Sequence, residues 1–155
     1  MEKNIKFKLI IGLGNPGSAY KNTYHNAGIQ FIDYLKALNS GDYIPLASKV
    51  FMNKSGQFVA KEIKKAGAKP EELLIVHDDS DLKLGTYKFQ FGRGAAGHKG
   101  VQNVIDNLKT KNFWRLRIGI RSIGPKKAGE FVLKKITRED RKILEAVFQN
   151  IVFAI

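Results

Sequence analysis

The sequence predicts an α/β layered domain, and three observations carry that reading. Two short apolar runs, Leu9–Ile11 and Leu73–Val76, are continuous rather than alternating, as strands buried on both faces are. Segments with helical apolar spacing fall between and after them, and strands alternating with helices build layered α/β folds. The first run breaks into a glycine-rich turn followed by polar residues, which is how such proteins form a site at a sheet's carboxyl edge.

Each element has its own signal. Phe7–Leu13 reads as the first buried strand. Asn26–Leu38 places Ile29, Ile32, Leu35 and Leu38 at helical spacing, with Gly41 beyond its end as the stop. Tyr43–Phe51 contains a short strand, placed at Ala47–Phe51. Ser55–Ala66 sets Phe58, Val59 and Ile63 on one helical face, and Gly67 closes it. Leu73–His77 is the second buried strand, and Thr86–Phe91 alternates as a strand with one wet face does. Glycines 92, 94, 97 and 100 make a flexible loop before a helix over His98–Leu108. Trp114–Ile120 alternates, with Arg115 and Arg117 expected to point outward against Leu116 and Ile118 as one basic face. Thr137 opens the last helix, with Asp140 three residues on in a capping-box-like arrangement. No repeat or linker divides residues 1–155, so one domain is expected.

Composition narrows the function classes. The absence of cysteine excludes disulfides and thiolate chemistry, and is compatible with a reducing compartment. The first residues lack a signal peptide's apolar stretch, and no segment approaches the ~18–20 apolar residues of a membrane span. Lysine and arginine total 27 against 14 acidic residues, a formal net charge of +13. No low-complexity tail carries that excess, so a basic face on a folded domain is expected. Its natural partner is a polyanion, nucleic acid above all, and a merely solubilising surface is the alternative.

Gly12-Leu13-Gly14-Asn15-Pro16-Gly17 fits the dinucleotide fingerprint G-x-G-x-x-G. Against a nucleotide-dependent oxidoreductase, Pro16 and a polar run separate these glycines from the helix they should open. The acidic residue that should end a second strand is also missing, since Asp33 falls inside a helix. The alternative is a rigid turn. Pro16 fixes its own φ and keeps Asn15 out of the helical region, with its amide available to a substrate; a plain Asn-Pro-Gly turn reads the same way. Asp78, Asp79 and Asp81 are turn formers, site carboxylates or a hard-cation cluster, though the closing glutamate of a Ca²⁺ loop is missing. Unperturbed histidine titrates nearest neutral pH, so His25 is the natural general base, with a helix-entry role as the ordinary reading.

Several stretches together resemble the bacterial-type peptidyl-tRNA hydrolase family: GLGNPGSAYKNTYHNAG (12–28), FMNKSG (51–56), HDDSDLKLG (77–85), GRGAAGHKG (92–100) and RLRIGI (115–120). They occur in the family's order and span most of the chain. The resemblance implies a single α/β domain whose mixed, mostly parallel twisted sheet is flanked by helices on both faces. It implies hydrolysis of the ester between a peptide and the 3′-terminal ribose of tRNA, without metal or organic cofactor, by a cytoplasmic monomer. It places the catalytic histidine on His25, its partner carboxylate on Asp78, and the motif asparagines on Asn15 and Asn53. Substrate and tRNA contacts are then expected from Tyr20, Asn26, Phe51, Met52, Lys88, Arg93, His98, Lys99, Arg115 and Arg117, directed at the acceptor stem and 3′ end. Core packing is the ordinary alternative for Phe51 and Met52.

The chain also departs from the family pattern. Lys99 stands where relatives carry an asparagine tied to water and tRNA, and lysine has no acceptor. The family is richer in glycine along that loop, and Ala95 and Ala96 are expected to stiffen it. The link from Leu38 to Ala47 is short, and the apolar residues ending at Ile155 are expected to need cover. A non-catalytic RNA-binding relative on the same fold is therefore the second reading, against which intact His25 and Asp78 argue.

Overall fold

The structure is a computed structural model that describes residues 5–39, 41–122 and 131–155. Strands β1 (Leu9–Gly12), β2 (Ile44–Ala47), β3 (Leu73–Lys83), β4 (Tyr87–Phe91) and β5 (Trp114–Arg121) form one sheet in the order β2-β1-β3-β5-β4. The first four in that order run parallel, and β4 returns antiparallel along β5 at the edge. Helices α1 (Ala27–Leu38), α2 (Ser55–Ala66), α3 (Lys99–Leu108) and α4 (Arg138–Ala154) flank it.

Period-two alternation divides the core in two. Ile10, Leu74, Val76, Leu116 and Ile118 face Phe31 and Leu35 of α1 and Leu144, Phe148 and Ile151 of α4. Leu9, Ile11, Leu73 and Ile75 face Val59 of α2 and Val101 and Val104 of α3. The strands are buried on both faces because both faces carry helices, which is what their unbroken apolar runs predict. Chain order leaves β1 toward β2 and then crosses over to β3 on its other side. The carboxyl edge between β1 and β3 is therefore the switch point at which open α/β sheets bind ligands.

Helix α1 lies unusually close to that edge. A Cβ on Gly28 would run into the carbonyl oxygen of Val76, which is backbone and has nowhere to move. Gly28→Ala is expected to cost about 1–3 kcal/mol, because an extra methyl in a packed contact must displace a helix. Chemical denaturation should show a lower midpoint with an unchanged slope.

Several element expectations are corrected in place. The short strand is Ile44–Ala47, not Ala47–Phe51. It pairs with β1 from Leu9↔Ile44 to Gly12↔Ala47, and as an edge strand it tolerates Pro45. Residues beyond it instead form a single 3₁₀ turn at Met52–Lys54. The second buried strand continues past His77 to Lys83, because β5 keeps pairing with its polar end. Asn39, not Gly41, takes the left-handed position after α1, with φ 48°. The chain's end is covered in part: Ile151 is buried and Phe153 is 85% exposed. Among the described residues, no helix is long and apolar enough to cross a membrane.

Candidate active site

The site grows from unequal strand lengths. Pairing of β1 with β3 ends at Gly12↔Val76, while β3 runs on beside β5 through Asp78↔Ile118. Asp78 thus projects from a stretch of strand whose β1 side is open. Into that opening comes the turn after β1. Asn26 locks it: its Oδ1 accepts from the Asn15 N–H at 2.8 Å, and its Nδ2 donates to the Asn15 carbonyl at 2.9 Å. The 3₁₀ turn Tyr24–Asn26 then presents His25, whose Nδ1 lies 2.8 Å from Asp78 Oδ2. On the other side, His98 at the N-cap of α3 brings Nε2 to 2.9 Å from Asp78 Oδ1.

The protons in this bridge follow from donor and acceptor counting. The Val101 N–H donates to His98 Nδ1 at 3.2 Å, so the His98 proton sits on Nε2 and points at the carboxylate. An ionised carboxylate only accepts, so His25 also donates to it, from Nδ1. The neutral His25 ring therefore keeps its lone pair on Nε2, the arrangement a general base needs. Burial favours the protonated form of Asp78, yet His98 and His25, which both donate to it, outweigh burial and hold the carboxyl well below the usual range. For His25, burial favours the neutral ring, but the hydrogen bond and charge of Asp78 raise its pKa above the ordinary 6.5. His77 takes no part in the bridge. Its Nδ1 donates to the Asp78 carbonyl at 2.7 Å, and burial, then His98 and Arg115, push its pKa down to about 3.

A cleft of about 830 Å³ opens over this bridge. Of the residues expected at the site, Asn15, His25, Phe51, Met52, Asn53, Asp78, His98 and Lys99 line it together. Tyr20 stands edge-on to Phe51, with ring centroids 6.0 Å apart. Met52 is mostly core, since it packs beside Gly100, while Phe51 is half-exposed at the mouth. Lys88 and Arg93 are exposed but outside the cleft lining.

Four side chains sit differently from their expected places. The amide of Asn15 is not wholly available, because its Oδ1 accepts from the Met52 N–H at 2.8 Å; Nδ2 is the group it can offer a substrate. Asn26 is buried beneath the turn as a brace and does not face a ligand. The basic face of β5 does not point outward. Arg115 is 3% exposed and donates to the Gly94 carbonyl at 2.8 Å, and Arg117 is paired with Asp79 at 2.6 Å. Alternation placed both arginines on one face correctly, but on that face Gln90 of β4, Asp79 of β3 and the Gly94 carbonyl of the glycine loop engage them.

Lys54, Ser80, Val132 and Leu133 also line the cleft and were missed. Lys54 adjoins a motif asparagine and was within reach of the sequence. Val132 and Leu133 had no local signal, since they arrive from a segment that pairs with the His25 turn through space.

The donor atoms of His25, Asp78 and His98 lie within 4.8 Å of one another, a spacing that could hold an ion. The His98 tautomer opposes it: the helix N–H at Nδ1 fixes a proton on the nitrogen that would have to bind the metal. The trio is built as a chain of hydrogen bonds.

Fold and site define an α/β protein of the hydrolase class, with a carboxylate-oriented imidazole at the sheet's switch point. A model of the family "Peptidyl-tRNA hydrolase" matches residues 9–155. A peptidyl-tRNA hydrolase of Neisseria meningitidis serogroup C is 37% identical over 166 residues, covering 93% of this chain and 86% of the relative. One from Sulfurihydrogenibium is 37% identical over 162 residues, covering 92% and 86%. The crystal structure of peptidyl-tRNA hydrolase from Acinetobacter baumannii superposes with a TM-score of 0.83 at 31% identity, over 96% of this chain and 86% of that one. The chain belongs to the peptidyl-tRNA hydrolase family and is an enzyme.

Proposed function

We propose that this protein hydrolyses the ester joining the peptide to the 3′-terminal ribose of peptidyl-tRNA, with His25 as general base. The observation that carries the reading is the bridge, in which Asp78 orients His25 at the floor of an open cleft. His25 Nε2 takes a proton from water as the water oxygen attacks the ester carbonyl. The negative charge that develops on the carbonyl oxygen needs a donor, and the Asn53 amide, exposed at the cleft, supplies it. Asn15 Nδ2 places the ester. Collapse of the tetrahedral intermediate breaks the bond to the ribose oxygen, which takes the proton back from His25. Asp78 stays ionised throughout and stabilises the imidazolium, the role of the third member of a triad.

The products are a peptide carboxylic acid and tRNA with a free 3′ hydroxyl. All these groups come from one chain, so a monomer suffices. Phosphate contacts fall to exposed cations, of which Lys88, Arg93 and Lys99 flank the glycine loop. Lys99 offers charge where an asparagine would offer a donor and an acceptor, so it suits a phosphate better than a water. Arg115, being buried, shapes that loop.

Single-turnover cleavage of an N-blocked aminoacyl-tRNA tests the reading. Ester cleavage supports it; tight binding without cleavage would leave a non-catalytic RNA-binding relative. Affinity for the tRNA is expected to fall steeply and log-linearly with salt, because phosphate contacts release counterions. A flat salt response would count against phosphate contacts and leave the +13 charge without its role.

A further inference from the structure

We propose that Tyr24 is a positioning residue for His25: its hydroxyl, held by Asp140 at the start of α4, fixes the turn that presents the imidazole to Asp78. The inference rests on the reading of His25 as the base and adds what sets its place. The turn carrying His25 is three residues long and has no side-chain cap, so it does not hold itself. Asn26 braces it on one side, and Tyr24 on the other.

Tyr24 is 2% exposed, and its hydroxyl donates to Asp140 Oδ2 at 2.5 Å. The Thr137 N–H donates to the Tyr24 hydroxyl oxygen at 3.4 Å, so the start of α4 meets the phenol with both an acceptor and a donor. The Tyr24 ring stacks on Phe131, with centroids 4.4 Å apart and planes 28° from parallel. Between these two anchors, the chain from Phe131 to Thr137 runs along the His25 turn as a strap. The His25 N–H donates to the Val132 carbonyl at 2.7 Å, and the Tyr24 N–H to the Lys134 carbonyl at 3.2 Å. Thr23 and Lys135 form an antiparallel bridge. Burial and the Asp140 carboxylate raise the phenol's pKa above its ordinary value of 10.0, so the hydroxyl keeps its proton and remains a donor at neutral pH.

The strap that seats His25 also contributes Val132 and Leu133 to the cleft wall. Loss of the hydroxyl frees one end of the turn while the ring still packs. The imidazole then drifts from Asp78, and misplacement of a reacting group by about 1 Å can cost on the order of 10²-fold.

The test uses Tyr24→Phe, Asp140→Ala, Asp140→Asn and the double variant Tyr24→Phe/Asp140→Ala. Tyr24→Phe and Asp140→Ala should each lower kcat about tenfold with KM nearly unchanged. The double variant should lose no more than either single one, and Asp140→Asn, which keeps an acceptor, should recover most of the rate. The second readout is the His25 imidazole titration followed by NMR. Asp78 and His98, the ionisable groups that face His25, are unchanged in these variants, so a midpoint falling toward the ordinary histidine value reports separation from Asp78. A protein that is merely less stable would keep its midpoint. An unmoved His25 midpoint in Tyr24→Phe overturns the proposal, as do losses that add in the double variant. If the wild-type protein cleaves no ester, the hydrolase reading fails by itself, and the NMR comparison still decides what Tyr24 does.

Discussion

Alanine at His25 is expected to lower single-turnover cleavage by about 10²–10⁴-fold, the usual contribution of a positioned general base. Binding of tRNA should stay within a few-fold, because the proposed phosphate contacts fall to Lys88, Arg93 and Lys99 rather than to His25. The size of the loss follows from the lack of a substitute. His98 is close, with ring centroids 5.5 Å from His25, but neither of its nitrogens is available. One donates to Asp78 and the other accepts from the Val101 N–H that starts α3. Asp79 is paired with Arg117, and a carboxylate is in any case a much weaker base than an imidazole near neutral pH. A His25→Ala protein that cleaves at a rate close to wild type would refute the base assignment.

Much of this site was legible before any coordinates, and the reason is local chemistry. The run that ends at Gly12, the proline after Asn15 and the helical spacing from Asn26 onward each state a backbone geometry that neighbours alone enforce. The same holds for Ser55–Ala66, whose observed bounds and left-handed Gly67 match the expectation. What failed needed partners distant in sequence. The strand at Ile44–Ala47 was misplaced because Pro45 discourages a strand until one knows that it lies on an edge. Arg115 and Arg117 shared a face as alternation required, but nothing within the strand said that Gly94 and Asp79 would cover them. Asn26 sat in the right motif for the wrong reason, since its amide braces the turn. The strap from Phe131 to Thr137 had no signal, because its pairing with the His25 turn spans more than a hundred residues. Sequence chemistry singled out the imidazole and the carboxylate that meet here at 2.8 Å; topology decided which neighbours hold them in place.

Asp78→Asn should be nearly as damaging, and for a reason that concerns protons rather than shape. An amide at this position has one acceptor and one donor where the carboxylate has two acceptors. His98 is fixed as a donor from Nε2 by the helix N–H at its Nδ1, so it claims the amide oxygen. The amide nitrogen then faces His25 Nδ1 and must donate to it. That places the His25 proton on Nε2, the nitrogen that has to accept from water, and cleavage should fall by about 10²–10⁴-fold. The residual activity carries a second signature. The base works only as the neutral ring, so the rate falls as pH drops through the His25 pKa. In the wild type Asp78 raises that pKa, so the acid limb of kcat/KM is expected above pH 6.5. Without the negative charge, burial acts alone and favours the neutral ring, which moves the acid limb to lower pH. The pH profiles of both proteins, measured on the same substrate, check this directly. An acid limb that stays in place, or a loss of only a few-fold, would mean that Asp78 neither orients nor charges the imidazole.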